Sequence, residues 1–154
     1  MDRFLEWIEK NKGHQALIDK SHKNVSTREH KAPLNEADNT ELATCGDAVL
    51  KLALCEILWE DKTGVLTEEK KEYEIDAVLV KIIAKHYNIL QYLQFDKADK
   101  NKPQDYNYQN DKYKYIATAI EACLGAMYME KNTVSWDDII EIIKEWKNLI
   151  DGSR

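Results

Sequence analysis

Residues 41–54 read ELATCGDAVLKLAL, and the fold turns on how they are read. Apolar residues at 42, 45, 49, 52 and 53 recur every three or four positions, and Ala and Leu dominate. This spacing predicts a long, largely buried helix from Leu42 to Leu58 that begins near Asn39 or Thr40. Gly46 inside it costs up to about 1 kcal/mol relative to Ala, which predicts close backbone packing at that point. Asp47 follows at once, an acid in an otherwise apolar run.

A second stretch, YKYIATAIEACLGAMYME at 113–130, is apolar on nearly all sides, the pattern of a helix in the centre of a globule. Glu121 interrupts it as Asp47 interrupts the first. A carboxylate in an apolar helix is costly unless it is paired, protonated or bound to a metal. Asp47 has an ordinary partner within reach, Lys51 four residues on, so a partly exposed charged strip explains it without any function.

The other elements fall around these two. A short helix at about 2–11 places Phe4, Leu5, Trp7 and Ile8 on one side, with Gly13 as its stop. HQALIDKSH reads as a second short helical piece, and residues 23–38, polar and containing Pro33, read as a loop. Beyond Gly64, Thr67 is the expected N-cap, with Glu68 and Glu69 in the first turn, of a helix or broken pair of helices running to about Tyr87. LQYLQF is a further short helix, then a long polar loop. In SWDDIIEIIKEWKNLI, 135–150, Ser135 is the cap and Ile139, Ile142, Ile143, Trp146 and Ile150 form the buried face.

Scarce Gly (5) and Pro (2), with 44% hydrophobic residues, favour an all-α protein. The length of 154 residues fits one domain, 1–154. Its first residues, MDRFLEWIEKNK, lack the apolar block of a signal peptide, and no run approaches the roughly 18 apolar residues of a membrane span. A soluble, cytoplasmic protein without a membrane partner is expected. Cys45, Cys55 and Cys123 lie in apolar stretches without a C-x-x-C pair and read as small hydrophobes rather than a disulfide or zinc framework.

The net charge of −6, from 22 basic against 28 acidic residues, repels a phosphate backbone at long range, so any nucleic-acid contact must be local. Two stretches could supply it. DKSHKNVSTREHK (19–31) holds Lys20, Lys23, Arg28 and Lys31, and DKADKNKPQDYNYQNDKYK (96–114) holds Lys97, Lys100, Lys102, Lys112 and Lys114 among tyrosines. Solvated loops carrying ordinary lysines would read the same way.

NTELATCGDAVLKLAL resembles the signature of the ribonuclease III family, Asn-Glu-Arg-Leu-Glu-Phe-Leu-Gly-Asp-Ala-Val-Leu, which Asn39, Leu42, Gly46, Asp47, Ala48, Val49 and Leu50 match. YIATAIEACLGAMYME is similar to that family's second acidic helix, Asp-x-x-Glu-Ala-Leu-x-Gly-Ala-x-Tyr, through Glu121, Ala122, Gly125, Ala126 and Tyr128. LIDKSH resembles its Leu-Thr-His-Lys-Ser-Tyr, and GVLTEEK its Gly-x-Leu-Ser-x-x-Arg/Lys with Lys70 at the basic position. The resemblance spans Leu17 to Glu130. It implies an all-helical endonuclease domain that forms a homodimer through the first signature helix and takes double-stranded or structured RNA across a valley between subunits. Many relatives add a double-stranded-RNA-binding domain, which is not expected in this chain. Lys20, Ser21, Lys70 and Lys112 become the RNA-binding candidates.

In that family two helices each give two carboxylates, at i and i+4 on the first and i and i+3 on the second, which together hold magnesium. The cation activates water and stabilises the leaving 3′ oxygen. Carried over residue by residue, the first acid falls on Ala43, the second on Asp47, the third on Thr118 and the fourth on Glu121. The cage is half empty, with Asp47 and Glu121 as the remaining catalytic and metal residues and Ala43 and Thr118 as degenerate positions. Magnesium would be held weakly, with manganese as its substitute. Glu41 cannot replace the lost acid, because two residues turn a side chain roughly 200° around a helix, unless the helix begins after it. Thr40 stands at the family's accessory acid, and Thr44 at the phenylalanine it inserts into the partner subunit.

Three readings follow: a pseudonuclease or ribosome-associated module that binds RNA with impaired or lost phosphodiester hydrolysis, an active magnesium-dependent endoribonuclease with a reduced site, and a helical protein-interaction module without nucleic acid.

Overall fold

The structure, a computed structural model, describes residues 2–28, 37–60, 63–130 and 133–154. It is all-α. Eight α-helices are seen among the described residues: α1 Arg3–Lys10, α2 His22–Arg28, α3 Thr40–Trp59, α4 Leu66–Glu74, α5 Asp76–Val78, α6 Lys85–Tyr87, α7 Lys114–Met129 and α8 Trp136–Gly152. A π-helical turn, Leu79–Ala84, joins α5 to α6. Among the described residues an isolated parallel bridge, Ile18 to Gln94, stands in for a strand.

The centre is the crossing of α3 and α7, and it is tight enough to be a backbone contact. A Cβ added to Gly46 would lie 1.6 Å from the Glu121 carbonyl oxygen, and one on Gly125 would lie 2.0 Å from that of Leu42. Two glycines therefore let two helices meet main chain to main chain, as Gly46 foretold. Around this crossing α7 is nearly all interior, from Tyr115 to Met127, with Thr118 and Glu121 as its part-exposed positions.

The remaining helices close the core from outside. Ser135 caps α8, its Oγ accepting from the Asp138 N–H at 3.1 Å, and Ile139, Ile142, Ile143, Trp146 and Ile150 are all buried, as the 135–150 pattern predicted. Asp2 caps α1 through the Phe4 and Leu5 N–H groups. It also accepts from the Tyr87 hydroxyl at 2.8 Å, while Trp146 Nε1 donates to that hydroxyl at 3.1 Å. This chain of bonds ties α1, α6 and α8 together where Phe4 meets Trp146 edge to face.

Some boundaries differ from expectation. The 23–38 stretch is not all loop, because α2 runs through to Arg28; Pro33 and Lys31 lie outside the described residues. Of HQALIDKSH, Gln15–Leu17 is helical as a 3₁₀ turn before Ile18 pairs with Gln94, and His22 opens α2. Thr67 is not the N-cap. Val65 occupies that position without a side-chain cap bond, and Glu69 Oε1 reaches back to accept from the Thr63 and Gly64 N–H groups, which pins the turn before the helix. The pair of helices running to Tyr87 is broken at Ile75, whose extended ψ of 147° separates α4 from α5. LQYLQF keeps only the 3₁₀ turn Ile89–Gln91, following Asn88 at φ 50°.

Of the cysteines, Cys123 is fully buried and Cys45 and Cys55 are partly so, and all three are free thiols. No helix among the described residues is long and apolar enough to cross a membrane.

Candidate active site

Because the crossing point of α3 and α7 lies at Gly46 and Glu121, the next residue of α3, Asp47, meets the side chain of Glu121. The two carboxyl groups share a hydrogen bond. Glu121 is mostly buried, and burial first, then the Asp47 charge beside it, pushes its pKa up to about 8. At Asp47 burial works in the same direction but is outweighed by hydrogen bonds from Lys51 and Glu121, and its pKa is lowered. The Lys51 ammonium lies 2.8 Å from Asp47 Oδ2 on a half-exposed strip. Both explanations for an acid in an apolar helix thus apply. Asp47 is paired, and Glu121 carries a proton at neutral pH that it donates to Asp47.

Nearby charges were not all foreseen. Asp76, first residue of α5, is half-buried and senses Asp47, and its charge in turn adds to the rise at Glu121. Its own pKa is raised by burial first, against the pull of Lys114. An acid ahead of the apolar run AVLVKIIA reads in sequence as an ordinary helix start, so nothing marked it as belonging to this pocket.

Ala43 and Thr118 occupy the same two helices. Ala43 is half-buried against the core, and Thr118 Oγ donates to the Lys114 carbonyl at 2.9 Å. Glu41 lies in the first turn of α3, exposed, and since the helix begins at Thr40 the exception that would have brought Glu41 to the pocket does not arise. Among the described residues no three His, Cys, Asp or Glu side chains come close enough to hold a metal ion. Asp47 and Glu121 are the carboxyl groups that a magnesium ion, keeping most of its waters, would meet on these two helices, and Ala43 and Thr118 add none.

The RNA-binding candidates part company. Lys20 and Lys112 are exposed and line one cleft beside Thr118. Ser21 is buried instead, its N–H donating to Asp19 and its Oγ accepting from the Asp96 N–H at 3.0 Å, so it holds two loops together. Lys70 is folded against Glu74 at 2.8 Å with both side chains largely covered, on the Asp47 side of the domain.

The Ribonuclease III domain model matches residues 40–132. The chain is 31% identical over 121 residues to "Ribonuclease 3" of Natranaerobius thermophilus, which covers 75% of this chain and 50% of that protein. It is 28% identical over 125 residues to "Ribonuclease 3" of Phytoplasma mali, covering 77% and 52% respectively. The chain therefore spans about half the length of these curated relatives. Because the matched span takes in both acidic helices and the glycine crossing between them, the chain belongs to the ribonuclease III domain family.

Proposed function

We propose that this chain is a ribonuclease III-like protein that binds double-stranded or structured RNA in the cytoplasm as a homodimer, with impaired or lost phosphodiester hydrolysis. The carrying observation is the composition of the α3–α7 pocket: Asp47 and Glu121 bonded to each other, with Ala43 and Thr118 on the same helices where the family places acids.

The family generally works with a divalent metal. Asp47 and Glu121 are the groups of this chain that such an ion would meet, and together they offer about one negative charge at neutral pH. Magnesium is therefore held weakly, with manganese as its substitute. The pocket's own groups can still accept a hydrogen bond or a proton, since Glu121 changes charge near neutrality, but without a charged cage the barrier to hydrolysis stays high.

The homodimer reading is supported by apolar side chains that the chain itself leaves uncovered on α3. Leu52 is 54% exposed and Trp59, two turns on, is 62% exposed. Val49, on the same helix, is enclosed in the core.

The test is a paired measurement on purified protein and long double-stranded RNA. Gel-shift binding should be present at low salt, while short double-stranded products should be slow to appear or undetectable in magnesium and at most traces in manganese. Absence of binding at any salt concentration would favour a protein-interaction module, and cutting at an ordinary enzymatic rate would make the reduced site an active one.

A further inference from the structure

A cavity of about 580 Å³ lies between α1 and α8, away from the carboxyl pair, and its two walls are joined by long-range bonds. Arg3 of α1 forms an ion pair with Asp138 of α8. A second link starts at His14, whose Nδ1 accepts from the Ala16 N–H, which leaves Nε2 to donate to the Glu130 carboxylate. The Glu130 carbonyl in turn accepts from the hydroxyl of Thr133, in the turn before α8. His14 also lies against Trp7, with ring centroids 5.4 Å apart. The walls are therefore fixed before anything enters, which lowers the ordering cost of binding.

The lining combines an apolar floor with a few polar groups, the usual make-up of a small-molecule site. Ile142 is 1% exposed and Trp7 is 7% exposed, and Val134 completes the floor. No described residue accepts from the Trp7 indole N–H, whereas the Trp146 and Trp136 indoles donate to Tyr87 and Glu56. Among the described residues the sealed side-chain nitrogen or oxygen without a partner is His22 Nδ1, so the Trp7 N–H is not sealed and opens on the space that Trp7 lines. A largely covered donor of this kind favours a ligand that brings an acceptor. Asn11, one helical turn on, lines the same space; its Nδ2 donates to the Trp7 carbonyl at 2.8 Å, and its Oδ1 is left as an acceptor. The Thr133 hydroxyl, its proton given to Glu130, is a second acceptor. The charges cancel: Arg3 pairs with Asp138, and Lys10 Nζ lies 2.8 Å from Glu6 Oε1, so no charge in the cavity is unmatched.

We propose that this cavity binds an uncharged nucleoside through an amino-bearing base, adenine or cytosine. Such a base sets a ring nitrogen acceptor beside an exocyclic amino group. The ring nitrogen takes the Trp7 N–H, the two amino protons meet Asn11 Oδ1 and the Thr133 hydroxyl oxygen, and the ring covers Ile142 and Val134. A hydrocarbon would leave all three polar groups unpaired, and an anion would have to compete with carboxylates already in place. Neither the carboxyl pair nor any of the RNA-binding candidates lines the cavity, so this inference is independent of the RNA reading.

The test follows the Trp7 indole N–H resonance of the full chain, assigned with Trp7→Phe, during titration with adenosine to about 10 mM, a range that reaches weak sites. Adenosine should shift that resonance saturably and ribose should leave it unmoved. Purine riboside, which lacks the amino group, should bind at least about threefold more weakly. Asn11→Ala should weaken adenosine by a similar factor while changing purine riboside by less than about twofold, a comparison between ligands that a general loss of folding would not produce. Adenosine 5′-monophosphate and a short oligoadenylate, which present the same base with phosphate or within a strand, should bind no tighter than adenosine. A gain of about tenfold or more for either would overturn the uncharged-nucleoside assignment in favour of phosphate recognition. Absence of a saturable shift with adenosine and with cytidine, an equal shift with ribose, or equal losses for both purine ligands in Asn11→Ala would overturn the site itself.

Discussion

Glu121 and Asp47 divide about one negative charge between them at neutral pH, and this has a consequence for stability that can be measured. Glu121 titrates near 8 in the fold against 4.5 in an unfolded chain, so between those values the native state holds a proton that the unfolded state has released. Stability should then fall as pH rises through this window and level off above it. Asp47 is shifted the other way, and its contribution is lost only when pH falls through the ordinary carboxylate range. In urea titrations from pH 5 to pH 9 the unfolding midpoint should decline, and Glu121→Gln should flatten that decline. An equal slope in both proteins would show that Glu121 is ionised at neutrality. The two acids were legible in sequence because each broke an apolar helical run. Asp76 was not, since an acid at a helix start needs no special explanation, and the buried role of Ser21 depended on the distant Asp96 backbone, which no local pattern encodes.

At the level of elements, the α3–α7 crossing depends on two missing methyl groups. Gly46→Ala would drive a Cβ to 1.6 Å from a main-chain oxygen, where no rotamer change can relieve it. The helices must separate, and the expected loss is about 3 kcal/mol or more, the upper end of what overpacking causes. Gly125→Ala should behave similarly, with its contact at 2.0 Å. A loss below about 1 kcal/mol in chemical denaturation, for either variant, would mean that the crossing is looser than described. At a helix end the effect is smaller: Ser135→Ala should cost about 1 kcal/mol through the lost bond to the Asp138 N–H. Long helices with a clear apolar face, α3, α7 and α8, were readable from spacing. The 66–95 region was less so, because no change in residue type marks the break at Ile75 or the π turn at 79–84, whose Leu79, Val80, Ile83 and Ala84 are buried.

The whole molecule joins a family fold to a site with one acid on each of its two helices. If α3 carries the homodimer contact, Leu52→Glu should move the protein from dimer to monomer in sedimentation velocity, and an unaltered protein that stays monomeric at high micromolar concentration would contradict that geometry. Fold and acid pair were visible in the order and spacing of motifs. The cleft that holds Lys20 and Lys112 was visible only as two polar stretches, because the Ile18–Gln94 bridge and the bond from the Asn39 N–H to the Ile18 carbonyl that bring them together are tertiary. The central claim is that hydrolysis is impaired by the two absent acids, and the most direct test is the initial rate of long double-stranded RNA cleavage in magnesium, before and after Ala43→Glu with Thr118→Asp. With folding of the variant checked by chemical denaturation, cleavage should appear or rise at least about tenfold, equivalent to ~1.4 kcal/mol of barrier. An unaltered protein that already cuts at an ordinary enzymatic rate, is not accelerated by the two acids and is indifferent to Asp47→Asn would contradict the account.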